Sequence, residues 1–90
     1  MVTAQLERRA YELGAIFIVD SWVKHKKYAV FYKDKWIHFG DNRYEDYTTH
    51  RDDDRRQNYL SRSTNIRNKY GQKTYKIKTS PNYWAVNLLW

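Results

Sequence analysis

The stretch KKYAVFYKDKWIHFG, residues 26–40, constrains the fold more than any other part of the chain. Two runs of β-branched and aromatic residues flank a short polar break, the pattern of an antiparallel hairpin. With Asp34–Lys35 as a two-residue loop, Tyr32 is predicted to face Ile37, Phe31 to face His38 and Val30 to face Phe39. Asp-Lys lacks the glycine that tight hairpin turns favour, so a longer turn starting at Lys33 is the alternative. Side chains alternate along a strand. Tyr28, Val30, Tyr32, Ile37 and Phe39 therefore share one face, and Ala29, Phe31, Trp36 and His38 the other.

The flanking segments supply the remaining elements. Val2, Leu6, Ala10 and Leu13 recur at helical spacing, and Gly14 follows as a residue free to adopt the left-handed conformation. AIFIV, residues 15–19, reads as a strand or an extended arm, broken by a turn at Asp20–Ser21. Gly40 to Arg43 carry turn chemistry. A second helix begins after a cap at Asp52 or Thr49, with Asp53 and Asp54 in its first turn and Arg55, Arg56 and Arg62 beyond. That charge order matches the helix dipole, and Tyr59 and Leu60 give it a narrow inward stripe. Tyr75 and Ile77 alternate with Lys76 and Lys78, which suits an edge strand or an extended arm. Ser80 and Pro81 start a last helical turn.

Together these predict an α+β fold in one small domain. It has a central β-hairpin or three-stranded antiparallel sheet, a short N-terminal helix, one capped helix near residues 52–63, and extended termini. Residues 1–26 form a helix and arm, 27–63 a hairpin–helix core, and 64–90 a basic segment with an aromatic tail.

With 90 residues and no cysteine, no disulfide or thiolate–zinc staple supports this fold, and the chain suits a reducing compartment. Stability falls to the aromatics: four Trp, nine Tyr and three Phe. Each buries roughly 150–250 Å² when enclosed. The longest apolar run, Ala15 to Val19, is far too short to span a membrane. The chain is expected to be soluble.

The net charge of +7 is unevenly placed. Residues 41–54 hold six acidic side chains against two arginines, whereas residues 55–90 hold eight Lys or Arg and no Asp or Glu. A basic block of that kind seeks anions such as nucleic-acid phosphate or an acidic protein surface.

The residues argue against chemistry. His38, His50, Asp41, Glu45, Asp46 and the Asp52–Asp54 triplet are the conceivable metal ligands, but no His-x-x-x-His spacing occurs and adjacent aspartates on a helix point about 100° apart. No Gly-x-Ser-x-Gly elbow or nuclease-type Glu-x-Lys is found, and three glycines cannot build a phosphate cradle. His50, just before a helix, reads as a hydrogen-bonded structural residue. The expectation is a non-enzyme with no cofactor and no metal site.

Residues 27–62 and the tail nevertheless carry a long mixed motif: His38, Phe39, Gly40, Tyr44, Asp46, Tyr47, Thr48, His50, Asp52, Arg55, Arg56, Tyr59, Arg62 and Trp90. This pattern resembles a family of short, uncharacterised basic proteins of large eukaryotic double-stranded DNA viruses. The resemblance implies a viral setting, a virion location after synthesis in the host cytoplasm, and no known activity. Two functions follow. The first is a small structural virion protein, a minor capsid or cement component that bridges capsid subunits or further copies of itself. Tyr83, Trp84, Leu88, Leu89 and Trp90 would be its apolar docking arm. The alternative is a non-sequence-specific nucleic-acid-binding protein. Arg55, Arg56, Arg62, Arg67, Lys69, Lys73, Lys76 and Lys78 would hold phosphates of DNA or RNA, and Tyr70 or Tyr75 would stack on bases.

Overall fold

The computed structural model describes residues 2–90, apart from the Thr49 side chain. It is an α+β chain with one three-stranded antiparallel sheet and a short N-terminal helix, as the periodicities predict. It packs as two compact units, Met1–Arg43 and Tyr44–Trp90.

In the first unit, helix α1 (Ala4–Glu12) starts where the Thr3 side chain accepts the Leu6 N–H at 3.1 Å. It stops in a Schellman motif, in which the Gly14 N–H bonds the Tyr11 carbonyl and the Ala15 N–H bonds the Ala10 carbonyl. Gly14 sits at φ +108°, where an L side chain is strained.

Strands β1 (Phe17–Asp20), β2 (Lys26–Tyr32) and β3 (Lys35–Asp41) lie in the order β1-β2-β3. The hairpin register differs from the first expectation. Val30 faces Ile37, Phe31 faces Trp36, and Tyr32 faces Lys35, so the loop is Lys33–Asp34. Both loop residues have positive φ, 49° and 63°, the backbone of a type I′ turn whose twist matches the strands. The slip moves each partner by two residues, and a shift of two preserves every face. The assignment of faces therefore holds. Gly40 lies within β3 at φ +79° instead of ending it.

One sheet face is enclosed: Ile18, Val30, Ile37 and Phe39 are buried. Phe17, Val19, Phe31, Trp36 and His38 alternate with them and lie on the other face, where only Ala29 is buried.

The second unit begins with a short helical turn, α2 (Tyr47–His50), capped by the buried Asp46, which accepts both the backbone N–H and the hydroxyl of Thr48. Arg51 then takes a left-handed conformation at φ 56° and lets the chain restart as α3 (Asp53–Ser63). Asp52 is the α3 cap, accepting from the Asp54 and Arg55 N–H groups at 3.0 and 3.2 Å. The alternative cap, Thr49, belongs to α2, and its side chain lies outside the described residues. Asp52→Ala is expected to cost about 0.5–2 kcal/mol in urea denaturation, the usual worth of an N-cap. Asp54→Asn keeps the cap and should change stability by no more than about 0.5 kcal/mol.

Residues 64–80 form no strand. Arg67 and Lys73 make a single antiparallel bridge, and Thr74–Lys76 is a 3-10 turn. The alternation at Tyr75–Lys78 is overruled by local bonds: the Thr74 N–H donates to the Ile66 carbonyl, and the Asn82 side chain reaches the Ser63 carbonyl and the Thr74 hydroxyl. The helical turn expected at Ser80 and Pro81 is a two-turn helix, α4 (Pro81–Leu88), capped by Ser80, so the C-terminal segment is not extended. Trp84, Ala85, Leu88 and Leu89 are buried, and the Trp84 indole donates to the Lys78 carbonyl at 2.7 Å. Among the described residues, no helix is long and apolar enough to cross a membrane.

Candidate functional site

Five residues of the motif, Tyr47, His50, Arg56, Tyr59 and Trp90, come together as one cluster in the second unit. Trp90 stacks on Tyr59 with ring centroids 4.1 Å apart and planes 9° from parallel. His50 lies 5.2 Å from Trp90 and edge-on to Tyr47 at 6.1 Å. The Arg56 guanidinium sits 5.2 Å over the Tyr47 ring, and its Nε donates to the Trp90 carbonyl at 2.7 Å. The Tyr47 hydroxyl donates to Asp53 at 2.9 Å, which raises the tyrosine's pKa by stabilising its protonated form. Burial raises that of Tyr59.

His50 has a structural part in this cluster. Its Nδ1 accepts the Asp52 N–H at 2.8 Å, tying the end of α2 to the cap of α3. In the neutral ring the proton is then on Nε2, which is buried without a hydrogen-bond partner. Neither nitrogen offers a lone pair to a substrate. Among the described residues, no group of three or more His, Asp or Glu is placed to hold a metal ion.

The basic residues are spread along the unit. Arg55 and Arg62 are seven apart on α3 and share one face. Arg55 also lies 3.8 Å from Glu45, an exposed pair of little energetic weight. Arg56 is occupied by Trp90 and Tyr47, so it is engaged within the chain's own packing. Arg67 and Lys73 flank a tight loop closed by Asn68, whose side-chain oxygen accepts from the Tyr70 and Gln72 N–H groups at 2.9 and 3.0 Å. The Arg67 guanidinium reaches the Gly71 carbonyl at 2.7 Å. This loop holds Lys69 and Tyr70 outward, with Tyr70 74% exposed and the Lys69 ammonium 5.1 Å from its ring. Lys76 makes a similar approach to Tyr75 at 5.6 Å, and Lys76 and Lys78 are both exposed.

The residues assigned to an apolar docking arm are mostly inside. Trp84, Leu88 and Leu89 are buried, Tyr83 packs edge-on to Trp84, and Trp90 is stacked on Tyr59. Of the other motif positions, Phe39 in β3 is core, and Tyr44, in the second unit, is exposed. Asp41 accepts a paired hydrogen bond from the Arg43 guanidinium at 3.0 and 2.8 Å. That partner holds its carboxyl well below the usual carboxylate range.

The first unit holds a surface that the motif does not describe. Phe17 meets Phe31 at 6.2 Å, Phe31 meets Trp36 at 5.1 Å, Trp36 meets Trp22 edge-on at 5.2 Å, and Trp22 meets His38 edge-on at 4.6 Å. His38 is steadied from behind: its Nδ1 is 2.8 Å from the Ser21 hydroxyl, whose oxygen accepts the Val23 N–H at 3.0 Å. Phe17 is 53% exposed, Trp22 63% and Trp36 37%. The hairpin alternation already separates Phe31, Trp36 and His38 from the core face. Phe17 and Trp22 join them only through the pairing of β1 with β2 and the path of the following loop.

The chain belongs to a family described as a family of unknown function (DUF5754), whose model matches residues 17–63. No curated protein and no solved structure matches the chain.

Proposed function

We propose that this DUF5754 member is a non-sequence-specific nucleic-acid-binding protein of a large eukaryotic double-stranded DNA virus. The observation that carries the reading is the pairing of exposed rings with exposed cations. Lys69 and Tyr70 stand at the tip of a braced loop, and the exposed Trp22 and Trp36 occur in a lysine-rich stretch of the sequence. Stacking plus phosphate attraction is the chemistry of sequence-tolerant binding. Arg55 and Arg62 line one face of α3 and add phosphate contacts. No helix-turn-helix, zinc-finger or RNP motif can be read in the sequence, so weak sequence preference is expected.

The salt dependence of binding tests this directly. Anisotropy of a labelled oligonucleotide should show affinity falling with a log–log slope of about −0.7 per phosphate contacted on a single strand. A flat slope overturns the reading, because phosphate contacts must release counterions.

A second reading, a small structural virion protein bridging larger subunits, has one supporting observation. Edge strand β1 and the residue before it carry exposed Ile16, Phe17 and Val19, which suit addition of a partner's strand. Stoichiometric recovery from salt-washed particles supports it, and loss of the protein in the salt wash sets it aside.

A further inference from the structure

We propose that the uncovered face of the three-stranded sheet is a stacking platform for single-stranded nucleic acid. The bases would lie on Phe17, Phe31, Trp36 and Trp22, and Lys27 on the same face, with Lys24 in the loop after Trp22, would hold the phosphates. This rests on the nucleic-acid reading above and adds to it a face, a set of rings and a strand state.

Folding alone does not account for this face. An antiparallel sheet with one solvated face normally places polar side chains there. In this sheet the enclosed face is complete with Ile18, Val30, Ile37 and Phe39, yet the opposite face still carries large rings. Those rings form an unbroken path, Phe17–Phe31–Trp36–Trp22–His38, with steps of 4.6 to 6.2 Å. The Trp22 ring stands near-perpendicular to both Trp36 and His38 and remains 63% exposed.

Charge selects the occupant. Of the lysines in residues 22–36, Lys27 alternates onto the open face with Ala29 and Phe31, and Lys24 follows Trp22 in its loop, whereas Lys26 and Lys35 alternate onto the enclosed side. No Asp or Glu of the three strands falls on the open face. The centres of protein–protein interfaces are depleted of lysine, whereas grooves for single strands combine aromatic rings with a basic border. A duplex cannot use such a platform, because its base faces are already stacked on one another. Strand state is therefore the property that separates stacking on these rings from phosphate attraction alone.

The test uses the full chain, a labelled dT20 strand and a labelled hairpin duplex of matching charge, at one salt concentration. Wild type should prefer dT20, and dT20 should quench tryptophan emission. The Trp22→Ala/Trp36→Ala variant, with its fold checked by circular dichroism, should lose about 5-fold or more in dT20 affinity per ring removed. It should also lose the quenching while keeping its duplex affinity. If this variant does not fold, Phe17→Ala on the edge strand reads the same loss. Equal dT20 binding by folded variant and wild type overturns the platform but leaves the nucleic-acid reading standing. Failure of wild type to bind either probe overturns both. Self-association of wild type that is abolished in the variant, without quenching by dT20, also overturns the platform and assigns the face to protein contact.

Discussion

Trp84→Ala is expected to cost about 3–5 kcal/mol, the usual price of emptying a fully buried aromatic site. Trp84 has no exposed surface, and its indole N–H satisfies the Lys78 carbonyl at 2.7 Å. Truncation therefore leaves a cavity and removes the indole hydrogen bond to the Lys78 carbonyl, the latter worth about 0.5–1.5 kcal/mol. Small domains have only about 5–15 kcal/mol of total stability. A fall in melting temperature of about 15 °C or more should be seen by circular dichroism. Trp84→Phe refills most of the volume without the donor, so it should fall between the two. A change of less than about 1 kcal/mol in Trp84→Ala would show that α4 is not a packed element.

Phe39→Ala is the second large effect, and its contrast with a neighbour three residues away makes it diagnostic. Phe39 is fully buried on the enclosed sheet face, 6.1 Å from Tyr28 across the strand pair. Its truncation should cost about 3–5 kcal/mol and strip amide exchange protection from β2 and β3. Trp36→Ala lies on the same strand but on the open face. It should cost only about 0.5–1.5 kcal/mol, the worth of its ring pairs with Phe31 and Trp22. Equal losses for the two would mean that both faces are core and that the open aromatic face serves stability.

Helix limits were legible wherever a local chemical rule applies. Asp52 followed by two more aspartates, Ser80 before Pro81, and Gly14 after an apolar stripe all mark real helix ends. Asp46, which the sequence offered only as a conceivable metal ligand and a motif residue, caps a short helix, and one helix was expected where Arg51 divides two. A left-handed arginine has no sequence signal, because only its surroundings pin it there. The hairpin turn was misplaced for a related reason. Neither Lys33 nor Asp34 advertises positive φ as glycine would, so strand twist chose the loop.

Alternation and charge segregation are properties of the linear chain, and they set the α+β class, the two faces of the hairpin and the basic half. Burial is not a local property. Tyr83 to Trp90 and the rings of Phe17, Trp22 and Trp36 look alike as sequence, apolar and in need of cover. Only the tertiary structure made the first group core and left the second facing solvent, because cover depends on which segments distant in the chain are brought against each ring.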